Sequence, residues 1–160
     1  MKTSIHTEII INGPAELVWE QLVDLDSYQH WNPFIRYAEG QIALNETLVC
    51  KPVLPDSKRQ MMFKPTITRC VDGVEFAWLG GIVIHPFIAG GEHSFQIHKL
   101  SENQVKLVHN QYFLGITSPL IKLVAGEKTK RGFIAMNKAL KERVENLVAK
   151  NRAIDNHERR

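Results

Sequence analysis

The chain has 160 residues, of which 44% are hydrophobic and 23% are charged, and its net charge is +3. This length fits one domain with a sizeable core, and this composition excludes a low-complexity or intrinsically disordered chain. The charge is uneven, since the residues from Lys128 onward include ten Lys and Arg against four Asp and Glu. A solvated helix face explains this basic surplus, and we expect no nucleic-acid partner.

The two cysteines indicate a reducing compartment. Cys50 and Cys70 have neither the spacing of a metal site nor a signal peptide before them, so we expect free thiols and a cytoplasmic location. The most apolar window, residues 79–89, contains His85 and Pro86 and is shorter than a membrane span. The sequence therefore predicts no integral membrane segment.

The chain begins with a predicted strand and two short helices. Residues 4–11 alternate between apolar and polar side chains, which predicts a strand. Pro14 suits the first position of a helix, and apolar residues at helical spacing extend this helix to residues 24–27. A second short helix or turn is predicted over 28–33, because the proline that follows Asn32 disfavours helical geometry there.

The middle of the chain has the pattern of consecutive antiparallel hairpins. Short β-rich runs are separated by turn signals such as Asp72-Gly73, and no helical pattern lies between them. The predicted strands are 35–43, 47–54, 58–70, 74–84, 91–100 and 104–114.

A long helix is predicted near the C-terminus, over residues 119–148. Its apolar residues recur every three or four positions and form one stripe. These residues are Phe133, Met136, Leu140, Val144 and Leu147. Gly126 and Gly132 predict a bend or a break between residues 124 and 132. The tail 151–160 has little apolar content, and we expect it to be flexible.

These elements predict an α+β fold in a single domain over residues 1–150. A seven-stranded curved antiparallel sheet would wrap around the long C-terminal helix, with two short helices after the first strand. A curved sheet around one helix leaves interior space that is available for a pocket.

Several phrases of the sequence resemble the START-like, or SRPBCC, superfamily with its helix-grip fold. The phrases are "PAELVW" at 14–19, "DLDSYQHWNP" at 24–33, "GEHSF" at 91–95, "QYFLG" at 111–115 and "RGFIAMNKAL" at 131–140. The resemblance spans about residues 3–148, and it is closest to the polyketide cyclase/dehydrase and lipid-transport branch. The resemblance implies an interior cavity for lipids, polyketides, quinones or other apolar molecules, and it places Trp31 at one closed end of that cavity.

Two histidines share strand faces with apolar residues, and they are the candidate polar points of such a cavity. In the sixth strand His93 alternates with Phe95, which leaves the polar residues Ser94, Gln96 and His98 for the outer face. Strand parity, the stripe of the helix and the resemblance together predict the residues that contact a ligand. These are His93, Phe95, His109, Gln111, Phe113, Phe76, Trp78, Trp31, Phe133, Met136 and Leu140. Gln111 is the predicted hydrogen-bond partner of His93. Alternatively, both histidines are neutral core residues with a neighbouring partner.

Other site chemistries find little support in the sequence. It contains no HExxH motif, no Cys/His cluster and no nucleotide-binding glycine motif, so we expect neither a metal nor a cofactor. No GxSxG elbow is present, and neither cysteine has a basic neighbour that would activate it. The catalytic residues, if the protein is an enzyme, stay unassigned.

The sequence is compatible with three functions. The first is binding of a hydrophobic or amphipathic small molecule between the sheet and the helix. The second is a cyclase, dehydratase or isomerase that acts on a hydrophobic carbonyl compound, with His93 or His109 moving a proton. The third is a protein-interaction module that uses the basic C-terminal helix. The sequence leaves the ligand and the oligomeric state open.

Overall fold

The first elements follow the predicted order. In the computed structural model, residues 3–53, 55, 62–81, 90–114 and 118–158 are described. Strand β1 spans Thr3–Ile11, helix α1 Ala15–Val23, a 3-10 turn Leu25–Ser27 and helix α2 Tyr28–Trp31. Pro14 stands one residue before α1 rather than in its first position, and its carbonyl accepts a hydrogen bond from Val18 N at 3.2 Å.

Six further strands lie in the described part of the segment that was predicted to contain hairpins. They are β2 Ile35–Glu39, β3 Val49–Pro52, β4 Thr66–Val71, β5 Glu75–Gly81, β6 Gly90–Ser101 and β7 Gln104–Leu114. Five strands form one antiparallel sheet in the order β1-β7-β6-β5-β4, and β2 pairs with β3 in a separate two-stranded sheet.

The prediction of one continuous seven-stranded sheet is therefore corrected to five strands plus two. Backbone hydrogen bonds join the two sheets: Leu48 N donates to Pro65 O at 2.9 Å, and Cys50 and Phe63 exchange two bonds. Pro65 has no N–H with which to return a hydrogen bond, so the ladder is interrupted at the junction.

Helix α3 spans Ser118–Glu158, and it is assigned as helix through the predicted bend. Gly132 does not break the helix but permits close packing, since a Cβ there would lie 2.3 Å from the ring of Phe34. The helix also continues past the predicted end at Val148, and residues 149–158 are exposed on it. At 1.5 Å per residue, α3 is about 60 Å long.

Helix α3 runs alongside β1, in the same direction. Asn137 Nδ2 donates to Thr7 Oγ1 at 3.0 Å, and Lys141 Nζ donates to the Ile10 carbonyl at 2.8 Å. The core lies between this helix and the inner face of the five-stranded sheet. Its buried side chains include Ile5, Ile11, Ile67, Phe76, Trp78, Phe95, Ile97, Val105, Leu107, Phe133, Met136, Leu140 and Val144.

The outer face of β6 is polar, as predicted, but it is not uniformly exposed. His98 is exposed and Gln96 is half-buried, whereas Ser94 is buried. Ser94 pairs with Ala77 on β5 and Asn110 on β7, both buried, so this central part of the outer face is screened from solvent.

Candidate functional site

His93 and His109 lie on the inner face of the sheet and contact each other. The register places His93 opposite Gln111 and Phe95 opposite His109, so the two histidines are diagonal neighbours on β6 and β7. Their Nε2 atoms are 2.6 Å apart, which is a direct hydrogen bond. His109 is fully buried and His93 is 5% exposed, so both rings of this polar pair are buried among the described residues.

The predicted pairing of His93 with Gln111 is wrong. Gln111 is half-buried, and its Nε2 donates to the carbonyl of Tyr112 at 3.3 Å. Its side chain covers Gly91, where a Cβ would lie 2.1 Å from Gln111 Nε2. Because Gly91 has no side chain, the side chain of Gln111 lies across it. The hydrogen-bond partner of His93 is therefore its diagonal neighbour His109, and not Gln111, which stands directly opposite.

Two residues that the sequence analysis did not select complete the polar cluster. His109 Nδ1 lies 2.8 Å from Asn137 Oδ1 on α3, and Asn137 Nδ2 donates to Thr7 Oγ1 on β1 at 3.0 Å. The Thr7 hydroxyl donates to the carbonyl of His109 at 3.2 Å. All these side chains are buried. We call Thr7, His93, His109 and Asn137 the histidine cluster.

The sequence contained a signal for both missed residues. Asn137 lies four positions after Phe133 and three before Leu140, so it interrupts the apolar stripe with an amide. Thr7 shares a strand face with Ile5 and Ile9. A polar side chain on each apolar face, matched to an inward histidine, indicates a buried polar network.

Aromatic rings enclose the histidine cluster. Phe133 stacks on His109 with ring centroids 3.7 Å apart and planes 9° apart, and Phe95 lies 4.3 Å from His109. Trp78 lies 4.6 Å from His93. Of the other predicted ligand contacts, Phe76, Met136 and Leu140 are buried in the same core, whereas Phe113 is only half-buried.

Trp31 is not a member of this cluster. Its Nε1 donates to Ser27 Oγ at 3.0 Å, and its ring meets Tyr28 edge-on at 5.1 Å. These contacts hold Trp31 against the short helices, where it is half-buried.

Both imidazoles are neutral at physiological pH. Burial lowers the pKa of His109 to about 3, although its hydrogen bond to Asn137 acts in the opposite direction. Burial also lowers the pKa of His93 well below its usual range, and repulsion from a charged His109 lowers it further. The cluster can therefore donate and accept hydrogen bonds, but neither ring carries an acidic proton that it would release near pH 7.

The geometry of the pair does not suit a shared metal ion. Two imidazole nitrogens on one zinc ion, each about 2.0–2.1 Å from it, stand well over 3 Å apart in tetrahedral geometry. The Nε2 atoms are closer than that. Within the described ranges, no group of three or more His, Cys, Asp or Glu side chains is arranged to hold a metal ion.

A surface pocket in the described structure lies away from the histidine cluster. It has a volume of about 190 Å³ and is lined by Leu25, Asp26, Gln29, Tyr37, Ala38 and Glu39. None of the predicted ligand contacts lines it.

Among the helices that the structure describes, none is both long enough and apolar enough to cross a membrane.

Comparisons by sequence find no relative of this chain. No protein-family model matches it, and no curated protein matches it.

Solved structures share the fold over nearly the whole chain. The Zhui aromatase/cyclase from Streptomyces sp. R1128 has a TM-score of 0.74 at 14% identity, over 92% of this chain and 96% of its own. A START superfamily protein from Mycobacterium smegmatis has a TM-score of 0.67 at 19% identity, over 90% and 98% of the two chains.

Norcoclaurine synthase from Thalictrum flavum, solved with dopamine and hydroxybenzaldehyde, has a TM-score of 0.66 at 12% identity, over 91% of this chain and 88% of its own. At such identities the likeness establishes the fold and does not transfer a reaction. The chain therefore has the START-like, helix-grip fold that the resemblance in its sequence predicts.

Proposed function

We propose that the protein binds a hydrophobic or amphipathic small molecule, such as a lipid, a polyketide or a quinone-like compound, between the sheet and α3. The observation that carries this proposal is the pair of hydrogen-bonded histidines inside an aromatic wall. Ligand sites of this kind are mainly apolar and contain a few polar groups that orient the ligand.

Next to His93, the inner face of the sheet changes from large aromatic side chains to glycines, which supports a ligand position there. Trp78 and His93 are opposite each other on β5 and β6, and the next inward pair along the two strands is Gly80 and Gly91. Large rings are thus followed by two residues without side chains. Phe63 and Gln111 cover these glycines in part. A ligand that displaces Gln111 would gain contact with His93.

The relatives in fold agree with this proposal. One is an aromatase/cyclase, and another was solved with dopamine and hydroxybenzaldehyde, which are small aromatic molecules with polar groups. The histidine cluster of this chain offers contacts that suit such molecules, namely aromatic surfaces beside a hydrogen-bonding nitrogen.

Native mass spectrometry of protein purified from cells, followed by extraction into organic solvent, tests the proposal. We expect the native protein to carry an added mass that is lost on denaturation and recovered in the extract. His93→Leu should lower the occupied fraction. His98→Leu is the matched control, because His98 lies on the same strand but is exposed on the outer face. A wild-type protein with no added mass, and with no binding in a screen of apolar probes, would contradict the proposal.

The second candidate function is a cyclase, dehydratase or isomerase. The similarity in fold to an aromatase/cyclase favours it. A neutral histidine can serve as a base, but burial lowers the pKa of both rings, so neither is a ready proton donor at neutral pH. Turnover of a bound carbonyl compound that is lost in His93→Leu while binding persists would favour the enzyme.

A further inference from the structure

The direction of every hydrogen bond in the histidine cluster follows from Thr7. A threonine hydroxyl has one proton, and the Thr7 hydroxyl donates it to the carbonyl of His109 at 3.2 Å. Thr7 Oγ1 can therefore only accept from Asn137, and the amide nitrogen Nδ2 lies 3.0 Å from it. This contact orients the amide, so that the Oδ1 of Asn137 faces His109.

The oriented amide determines where the proton of each imidazole lies. Asn137 Oδ1 is an acceptor, so His109 must donate to it from Nδ1. A neutral imidazole has one N–H, which leaves the Nε2 of His109 as an acceptor. His93 must then donate from its own Nε2 across 2.6 Å, and its Nδ1 keeps a lone pair.

The opposite arrangement is less favourable. It would require Thr7 to donate to Asn137, which withdraws the only hydroxyl proton from the carbonyl of His109. It would also turn the amide so that Nδ2 donates to His109. The carbonyl of His109 would then lose the hydrogen bond from the Thr7 hydroxyl, and the loss of a buried hydrogen bond costs stability.

We infer that Thr7 and Asn137 are positioning residues that fix both imidazole tautomers, and that His93 Nδ1 accepts a hydrogen bond from a hydroxyl, a phenol or an N–H group of the ligand. Among the described residues, only His109 is hydrogen-bonded to the ring of His93. The ligand part of this inference rests on the proposed function, whereas the tautomers do not depend on it. The ligand class thereby narrows to apolar molecules that present a hydrogen-bond donor.

Nuclear magnetic resonance of protein with labelled histidines tests the tautomers directly. At pH 7 we expect the proton of His109 on Nδ1 and that of His93 on Nε2. Thr7→Val keeps the shape but removes the hydroxyl, so the amide loses its fixed orientation and a second set of tautomers should appear. Thr7→Ser restores a hydroxyl and should restore the single set. A proton on Nδ1 of His93 in the wild type, or a Thr7→Val protein with unchanged tautomers, overturns the inference.

Two probes with one skeleton test the preference for a donor. 2-Naphthol presents an O–H group, whereas 2-methoxynaphthalene can only accept, and it is the more apolar of the two. We expect the wild type to bind the naphthol about tenfold more tightly than the ether, which corresponds to one hydrogen bond. His93→Phe should abolish the preference, and His98→Phe, on the outer face, should keep it.

The outcomes separate this inference from the proposed function. Equal affinities in the wild type, or a preference for the ether, overturn the donor preference and leave ligand binding intact. If neither probe binds and the native mass spectra show no ligand, the proposed function fails, and the ligand part of the inference fails with it. The tautomers are still decided by the resonance experiment.

Discussion

The two ends of the contact between α3 and the sheet differ in chemistry. At one end, Leu140 and Val144 are fully buried in an apolar core that also contains Ile11 and Leu107. We call this the apolar end. At the other end, the same helix contributes Asn137 to the histidine cluster. The same helix thus contributes a buried hydrogen-bonding side chain at Asn137 and, a turn further along, fully buried apolar side chains at Leu140 and Val144.

The difference indicates a division of roles along α3. Buried apolar surface is worth about 25 cal/mol per Å² without any requirement for direction, so the apolar end stabilises the contact between the helix and the sheet. A buried polar network contributes less net stability, because its hydrogen bonds replace bonds to water, but it fixes the orientation of each ring. The apolar end therefore stabilises the contact without fixing an orientation, whereas the histidine cluster also fixes the orientation of both rings and, as proposed, of an acceptor beside the ligand.

The largest effect is expected from truncation at the apolar end. Leu140→Ala should lower the free energy of unfolding by about 2–5 kcal/mol, since it removes a fully buried side chain and leaves a cavity. Urea denaturation measures this loss. Ile134→Ala is the control on the same helix, because Ile134 is 51% exposed and its truncation should cost less than about 0.5 kcal/mol. Equal losses in the two variants would contradict the assignment of the apolar end.

Much of this fold was predictable because its elements have strong periodic patterns. The alternation in residues 4–11 and the hairpin signals of the middle segment predict the strands in their observed order, but β4 begins at Thr66, eight residues after its predicted start at 58. Residues 58–61 and 82–84 of the predicted strands lie outside the described residues. The split of the sheet was not predicted, since it depends on which backbone groups meet Pro65 across the junction. The sequence predicted a bend or a break between residues 124 and 132, and the break is wrong, since α3 is one helix over this range. The close approach of Phe34 that Gly132 permits is a tertiary contact, which the sequence does not reveal.

The candidate site was predictable only in part. Strand parity correctly predicted that His93 and His109 face the interior, but it wrongly predicted Gln111, the residue directly opposite, as the partner of His93. The diagonal contact between His93 and His109 forms because the side chain of Gln111 lies over Gly91 instead of next to His93. The contribution of Asn137 depends on the register of α3 against β1, which one sequence does not reveal.

Acid should destabilise the protein through the histidine cluster and not through the apolar end. The pKa of both rings is lowered by burial, to about 3 for His109, so below pH 6.5 the unfolded chain binds protons that the folded chain does not. Stability should therefore fall with pH from about 6.5 downward, by up to about 1.4 kcal/mol per pH unit for each ring. Below about pH 3, where folded His109 also binds its proton, the contribution of that ring should level off.

Urea denaturation at pH 7 and pH 5 measures this dependence. Between these values each ring should cost about 2 kcal/mol, and a variant with both His93→Leu and His109→Leu should lose correspondingly less stability than the wild type. Leu140→Ala should keep the wild-type dependence on pH, since Leu140 does not titrate. A double variant that is as sensitive to acid as the wild type would show that other groups dominate.

Removal of one imidazole should have a smaller effect than acid. His93→Leu leaves His109 Nε2 without its donor in a buried site, and we expect a loss of about 1–3 kcal/mol in the free energy of unfolding at pH 7. His109→Leu added to this variant should cost less than it does alone, because the two rings are partners of one hydrogen bond. A double-mutant cycle measures the coupling, with His98→Leu as the exposed control. Additive losses would contradict the 2.6 Å contact.

The smallest effect is expected at the polar border of the apolar end. Glu145 Oε1 accepts hydrogen bonds from Asn12 N and Asn12 Nδ2, each at 2.9 Å, and from Lys141 Nζ at 2.7 Å. Glu145→Gln keeps an acceptor oxygen but removes the charge, and the site is partly open to solvent, so the loss should be about 0.2–1 kcal/mol. Because salt screens such a pair, the loss in the free energy of unfolding, measured by urea denaturation, should be smaller at high salt than at low salt.

A second ion pair on α3 is the matched control for that measurement. Lys138 and Glu142 also stand four residues apart, but their charged atoms are 3.9 Å from each other and both side chains are mostly exposed. Glu142→Gln should therefore change stability less than Glu145→Gln does, since Glu142 has no contact equivalent to that of Glu145 with the backbone of Asn12. If the two variants lose the same stability, the contact with Asn12 does not hold α3 to the end of β1, and apolar burial alone fixes the helix there.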